Sequence, residues 1–500
     1  MVPVQNPPHS TSDMRTTAFI VGLFLIGLYL RLESMTTSLW LDEFGTFWVA
    51  QSGLREAIER SWSFQGQSPF YYLLPWASLQ ILGESEAALR LPSLVVSVTM
   101  CAIVYVCGRD TGGKMTGIGA AMLAWLLASN VRAGIEARPY GLVLLVVAIA
   151  LAGFQRAAMT GRPWPRVVWI VGGAAVAWAH YVAYPVVVGC MLAYVFVPEL
   201  RARYVPRRFA VDVLAQVALV ALCVPQIAAL ADRRAGLSWI DTWNYLAFLS
   251  PLGPLVPAVV IGMATPLGRA HAHLAAWRTA VLWALVAAIG SVLGAALIGI
   301  NLLDARYFVA SIVPALLLAS LEMGRLPAKE RRFAFAAFLL ISGVSLVATQ
   351  RASGSFSGLG NEDWRLAVTR LRIEHDQRPH DPVFIRTGFV EEELASEGRL
   401  SEATLSPLRS PGMMSRPIAV TPLTFRWSNP RRADYFEHAI APRIAGAESF
   451  MLMGLDSLAG QPSYLGEFDR WVEVRWPRTF KRESLSFGAV SLVRFQRGAP

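Results

Sequence analysis

The sequence predicts a mainly α protein: a polytopic transmembrane helix bundle of about 11 spans plus juxtamembrane helices, followed by a C-terminal extracytoplasmic α/β domain. Three observations predict it. Apolar residues make up 54% of the 500 residues and charged residues only 16%, with a mean hydropathy of +0.43; soluble chains carry about 25% charged residues. Apolar runs of membrane-crossing length recur through residues 1–349 and then stop. Charge is also uneven: residues 1–349 hold 25 Lys+Arg and 17 Asp+Glu, while residues 350–500 hold 20 and 18, about twice the density. The chain therefore divides into a membrane body, 1–349, and a soluble tail, 350–500, of one-domain size. The same composition excludes a disordered or collagen-like chain. The four cysteines, Cys101, Cys107, Cys190 and Cys223, all lie in apolar runs, which gives neither a disulfide framework nor a zinc spacing.

Crossing the hydrocarbon core takes about 20 apolar residues. Runs of that kind occupy 16–32, 89–108, 115–129, 139–156, 167–180, 182–198, 209–230, 244–265, 279–300, 307–321 and 333–349. No A-x-A-like site follows Leu32, so the first run reads as an uncleaved anchor. Residues 69–83 are ambiguous, being short and interrupted by Pro75. If they do not cross, 16 of the 25 basic residues of the body fall on the side of the amino terminus; if they cross, 7 do. Lys and Arg favour cytoplasmic loops. The count predicts a cytoplasmic amino terminus, a juxtamembrane or re-entrant 69–83, and an extracytoplasmic tail. It also reads the net charge of +10 as membrane orientation, with no nucleic-acid partner.

In that topology the outer face gathers ionisable residues. The long first outer loop, 33–88, holds Trp40-Leu41-Asp42-Glu43. Later outer loops hold Arg132, Glu136, Arg138 and Tyr140; then His180 and Tyr181; then Asp232, Arg233, Arg234 and Asp241; and last Asp304, Arg306 and Tyr307. Ionisable groups at membrane depth are costly and mark sites or pairing networks. Two readings are open for Asp42 and Glu43. They are charges at the start of a helix, where acids are favoured, or one of them is a carboxylate base for a hydroxyl nucleophile. Arg138, Tyr140, Arg306 and Tyr307 sit where a lipid phosphate lies and suit the charge that develops on a phosphate leaving group. For these too, plain ion pairing, such as Arg138 with Glu136 or Arg306 with Asp304, is the alternative. His180 and Tyr181 read as supporting polar residues. No metal spacing accompanies them, and no cofactor is identified.

These residues together resemble a family. Trp40-Leu-Asp42-Glu43, Gly66-Gln-Ser-Pro69-Phe-Tyr-Tyr72, Leu82-Gly-Glu-Ser-Glu86, Leu89-Arg90-Leu-Pro92-Ser93 and Ala133-Gly-Ile-Glu136-Ala-Arg138-Pro-Tyr140 resemble the C-type, polyprenyl-phosphate-dependent membrane glycosyltransferases related to the protein O-mannosyltransferases and the lipid A aminoarabinose transferase. Arg306-Tyr307 and Glu362-Asp-Trp364-Arg365 are similar to the bacterial members. The sequence departs from many relatives at Gln67-Ser68-Pro69, where they carry a basic residue or histidine and a double proline. The resemblance implies a transferase in a bacterial inner membrane that moves a sugar from a polyprenyl-phosphate donor to a hydroxyl of a lipid, glycan or protein acceptor on the extracytoplasmic side. It implies that Asp42, with Glu43 beside it, acts as base, and that the arginines and tyrosines hold the carrier phosphate. The alternative is a transporter or flippase of a lipid-linked saccharide, for which the sequence offers no internal repeat.

In the tail, 351–360 is Gly/Ser-rich and predicts a flexible linker. A helix is expected from Trp364, and strands at Pro382-Val-Phe-Ile-Arg, Pro417-Ile-Ala-Val, Phe450-Met-Leu-Met and Ala489-Val-Ser-Leu-Val. The tail shows no nucleotide loop or nucleophile motif.

Overall fold

The structure, a computed structural model, describes residues 11–63, 67–224, 244–264, 272–359, 361–386, 418–424, 427, 432–456 and 463–498. Gly66, Asp232, Arg233, Arg234, Asp241 and Pro417 lie outside the described residues.

Among the described residues, helices lie along much of the apolar runs. The first, α1 (Thr11–Leu32), leads through a short loop to α2 (Leu41–Ala50), α3 (Leu54–Ser63) and α4 (Pro69–Leu82), which together fill the expected first outer loop. Ser68 caps α4 by accepting from the Phe70 N–H at 3.1 Å, and Pro69 follows at the first helical position, where its missing N–H costs nothing. At 14 residues α4 is about 21 Å long, short of the roughly 30 Å hydrocarbon core. Its Tyr71, Tyr72 and Leu79 are buried.

Next comes α5 (Glu86–Leu126), which reverses at Gly113, where φ is +84° and ψ 178°. The reversal brings Gly108 against Gly117 so closely that a Cβ on Gly108 would lie 3.0 Å from the Gly117 Cα. The expected runs 89–108 and 115–129 are thus the limbs of one hairpin. A short α6 (Ala128–Ala133) precedes α7 (Tyr140–Thr160) and α8 (Pro163–Ala179), which form a second hairpin. Among the described residues, five helices are long and apolar enough to cross a membrane: Glu86–Leu126, Tyr140–Thr160, Ala275–Leu297, Ala305–Arg325 and Ala328–Ser353. Shorter apolar helices lie at Ala18–Leu32, Tyr181–Phe196 and Leu249–Val260. Tyr140–Thr160 and Ile312–Arg325 are central and buried on most sides; Ala328–Ser353 is peripheral, exposing Phe333, Leu340 and Val344 as a lipid-facing helix does.

The chain ends in a five-stranded sheet of order β2-β1-β3-β5-β4, with β1 (Val383–Arg386), β2 (Thr421–Pro422), β3 (Ser449–Leu455), β4 (Phe480–Phe487) and β5 (Val490–Arg497). β2, β1 and β3 run parallel; β5 and β4 are antiparallel additions. Strand β4 was not expected from the sequence. It is an edge strand with an exposed interior, so it lacks the alternation that marks a half-buried strand. Side chains alternate along β3: Phe450 and Leu452 enter a core with Phe436, Tyr464 and Phe468, while Met451 and Met453 enter one with Trp364 and Leu371 of the helix Trp364–Gln377. That second core also contains Leu39, Leu41, Phe44 and Phe47, so α2 packs under the sheet.

The Gly/Ser linker differs from expectation. Ser355 and Ser357 are buried, the Ser357 hydroxyl donates to the Ser34 hydroxyl at 2.7 Å, and Ser355 donates to the Leu359 carbonyl at 2.6 Å. Serine hydroxyls supply local partners that glycine lacks, and they pin the segment to the loop after α1.

What fixes α2 is a buried ion pair. Arg90, in the first turns of α5, donates from Nε to Glu43 Oε1 at 2.9 Å and from Nη2 to Glu43 Oε2; neither side chain is exposed. Arg90 also donates to the carbonyls of Ser34 (2.8 Å), Thr37 (2.8 Å) and Ser38 (3.1 Å). Glu43 accepts from the Ala137 N–H at 2.8 Å and from the Trp40 N–H at 3.4 Å. One pair thereby joins α2, the loop before it, α5 and the segment before α7. Glu43→Gln leaves Arg90 uncompensated and should cost about 3–5 kcal/mol, read as a lower thermal midpoint in detergent. The double substitution Glu43→Met/Arg90→Leu should recover part of that loss. A Glu43→Gln protein as stable as wild type would contradict the assignment.

Candidate functional site

Successive residues on a helix point about 100° apart, so Asp42 and Glu43 cannot share a direction. Glu43 turns into the protein, towards Arg90. Asp42 turns outward, keeps 27% of its side chain exposed, and accepts from Arg306 Nη1 at 2.9 Å. Of the two acids expected as base, Glu43 is withdrawn from solvent and saturated with donors, and Asp42 is the accessible one.

Arg306 is held by its own segment. Asp304 caps the helical turn Ala305–Ser311 by accepting from the Arg306 N–H at 3.0 Å and from Arg306 Nε at 3.1 Å. Arg138 lies between α6 and α7 and donates from Nη1 to the Asp42 carbonyl at 3.3 Å. Burial opposes its charge, but Asp42, Tyr72, Tyr140 and Glu136 together outweigh it, and its pKa is raised. Glu136 pairs with Arg132 (Nε to Oε2, 3.6 Å), and Arg138 also attracts its charge. Burial raises the Glu136 carboxyl above its ordinary value against the pull of Arg132 and Arg306.

These groups border a cavity of about 350 Å³. Its charged and aromatic lining is Arg132, Glu136, Tyr140, Asp304, Arg306 and Phe356, and its side-chain hydroxyls, besides that of Tyr140, come from Ser129, Ser250, Ser345, Thr349 and Ser357. Asp42 is not part of that lining; Arg306 joins it to the cavity. The Trp40 ring lies near two guanidiniums, those of Arg132 (5.3 Å) and Arg306 (5.8 Å), an arrangement that holds both by cation–π attraction. On the other side of Tyr140, His180 stacks at 6.3 Å, with Tyr307 edge-on to His180 at 6.4 Å and Tyr181 at 5.3 Å.

The fold thus brings Asp42, Glu136, Arg138, Tyr140, His180, Tyr181, Arg306 and Tyr307 into one neighbourhood, with Glu43 buried beside it on Arg90. Sequence reasoning left Arg132 as a loop cation and gave Trp40 and Tyr72 no role. Arg132 had a signal, since Glu136 follows at i+4; Trp40 had none, because its value lies in arginines 92 and 266 positions away. Tyr72 is fully buried beside Arg138 and Asp42, and its hydroxyl donates to Gln67 Oε1 at 3.1 Å. Gln67 is therefore engaged with α4 rather than with the arginines. Among the described residues no group of three or more His, Cys, Asp or Glu is placed to hold a metal.

Residues 66–228 match the family described as dolichyl-phosphate-mannose-protein mannosyltransferase. No curated protein sequence matches the chain. Among solved structures, the fold is similar to ArnT from Cupriavidus metallidurans in the apo state, with a TM-score of 0.52 and 12% identity over 97% of this chain and 98% of that one. The same protein bound to undecaprenyl phosphate gives 0.51 and 13% over the same shares. The Archaeoglobus fulgidus oligosaccharyltransferase in complex with Zn and sulfate gives 0.52 and 12%, over 93% of this chain and 72% of that one. Residues 66–228 are thus similar to that family, and the chain shares its fold with these structures along nearly its whole length.

Proposed function

We propose that the protein transfers a sugar from a polyprenyl-phosphate donor to an acceptor hydroxyl on the extracytoplasmic face. The observation that carries the reading is the Asp42–Arg306 pair: a partly exposed carboxylate bound to an arginine that lines a hydroxyl-rich cavity. The volume falls in the range of small-ligand sites. The family description and the undecaprenyl phosphate bound by the structural neighbour support a lipid-phosphate donor.

In this reading Arg306, Arg138 and Arg132 receive the donor phosphate. Engaging it draws Arg306 off Asp42 and frees the carboxylate. The acceptor oxygen attacks the anomeric carbon, the bond from that carbon to the phosphate oxygen breaks, and Asp42 takes the hydroxyl proton. Polyprenyl phosphate leaves with its negative charge spread over oxygens facing guanidiniums fixed in advance, the form of electrostatic stabilisation that lowers such barriers most. The cavity hydroxyls and Tyr140 suit a sugar ring, which asks for many neutral hydrogen bonds. We place the membrane body at 1–349, the tail at 350–500 outside the cytoplasmic membrane, and the amino terminus inside. The length of α4 supports this topology, because a non-crossing α4 keeps Asp42 on the same side as Arg138.

Purified protein is tested with a panel of labelled polyprenyl-phosphate sugars, beginning with mannose. Asp42→Asn should lower kcat by about 10²–10⁴-fold and leave binding of undecaprenyl phosphate intact. Arg138→Ala should weaken that binding by about 10–100-fold, the worth of a charged hydrogen bond. Binding and translocation without turnover would favour the flippase reading. Near-normal turnover in folded Asp42→Asn would remove Asp42 as base.

A reporter active only outside the cytoplasm, fused after residue 360, should be active. Cytoplasmic activity of a complementary reporter at the same point would overturn the topology.

A further inference from the structure

Residues 361–363 open the tail's folded part just after the linker, and this short segment is held from two sides. On the side of the sheet, the Asn361 carbonyl accepts from the Ala489 N–H at 2.6 Å and the Asp363 N–H donates to the Phe487 carbonyl at 3.2 Å, so that Glu362 bridges Gly488 at the tip of the β4–β5 hairpin. On the other side, Glu362 Oε2 accepts from the Leu41 N–H at 2.9 Å and from Trp364 Nε1 at 2.9 Å. The buried Trp364 ring meets Phe44 edge-on at 6.1 Å. Leu41 opens α2 and directly precedes Asp42.

First-turn N–H groups have no partner within their own helix. Trp40, at the N-cap, has no side-chain oxygen to supply one, and Glu362 does so from 321 residues away. Three carboxylates meet at this turn. Glu43 is paired with Arg90 and Asp42 with Arg306, while among the described residues Glu362 has no cationic partner. The charged groups facing it are Asp42 and Glu43 of α2. On its own segment Asp363 is turned to the Leu366 N–H, and Arg365 to Glu86 and the Thr36 carbonyl.

We propose that Glu362 is a positioning residue for transfer: it grips the first turn of α2 from the docked tail and so sets the aim of the Asp42 carboxylate. This rests on the transferase reading of Asp42. The same acid makes the site sensitive to outside pH. Burial, and then the charges of Asp42 and Glu43, raise its carboxyl to about 7 against its two hydrogen bonds. A proton on it removes the charge-assisted part of the grip on the first turn of α2. Transfer should therefore rise as pH climbs through about 7. Stability moves the other way: a carboxyl raised in the fold binds its proton more tightly folded than unfolded, so its contribution is present at low pH and lost as pH rises through about 7. A merely structural contact would not give opposite slopes.

The test uses the full chain and compares wild type, Glu362→Gln, Glu362→Ala and Gly488→Ala. It reads amide exchange over residues 38–44, transfer from polyprenyl-phosphate mannose, and thermal midpoint against pH. Glu362→Ala should exchange about five- to tenfold faster at the start of α2, as for a lost cap, and lose about 10–10² in kcat with donor KM little changed. Glu362→Gln, whose amide oxygen accepts the same two N–H groups, should keep the protection and most of kcat but lose both pH inflections. Gly488 has φ +64°, and a Cβ there would lie 2.0 Å from the Asn361 carbonyl oxygen, so Gly488→Ala should reproduce the Glu362→Ala loss while altering no side chain near Asp42. Unchanged exchange or unchanged kcat in Glu362→Ala overturns the proposal, as does an inflection that persists in Glu362→Gln. If wild type transfers from no sugar of the panel while the exchange differences appear, the transferase reading falls and the grip on α2 stands.

Discussion

Everything at the site depends on the Glu43–Arg90 pair. An ion pair removed from water is tolerated only when its geometry is good and its remaining donors and acceptors are met. Here Arg90 spends its other donors on three carbonyls of the loop before α2, and Glu43 meets the backbone of α2 and of the segment before α7. Three parts of the chain that are distant in sequence, α2 with the loop before it, α5 and the segment before α7, are forced to agree on one position for the first turn of α2. Asp42, one residue away, inherits that position and points about 100° away around the helix. The accessible acid is thus placed by its buried neighbour.

The arginines around Asp42 form a second layer of constraint. Arg306 is bound by Asp304 and Asp42, Arg132 by Glu136, and both lie near the Trp40 ring. Guanidiniums fixed in this way do not have to be ordered when an anion arrives, which keeps their attraction for a phosphate from being offset by lost side-chain freedom. Their acids are also the nearest competitors for them. A dianionic or monoanionic phosphate must displace carboxylates, so donor binding and release of Asp42 become one event in the proposed mechanism.

The tail belongs to the same assembly. α2 contributes Leu41, Phe44 and Phe47 to the core under the sheet, the serines of 351–359 seat the linker, and Glu362 completes the first turn of α2. A tether of Gly and Ser would have allowed the sheet to drift. Its hydroxyls find buried partners instead, because the loop after α1 presents Ser34 at the same place.

The sequence alone determined the mainly helical class, the positions of the long apolar helices, the β1, β3 and β5 strands, and most of the polar residues that gather beside the cavity. These are local signals: hydrocarbon length sets run length, and charge is too costly at membrane depth to appear without reason. It did not reveal the edge strand β4, whose exposed residues carry no alternation, or the seating of the linker. Above all it could not separate Asp42 from Glu43. The two are adjacent acids at one helix start, equal in every sequence property, and only packing decides between them. Arg90, 47 residues on, and the Ala137 N–H, 94 residues on, claim Glu43, while Arg306, 264 residues on, claims Asp42. Partners so far apart in the chain leave no periodic or spacing signal, since what joins them is the folding of α5, α7 and the later helices against one another.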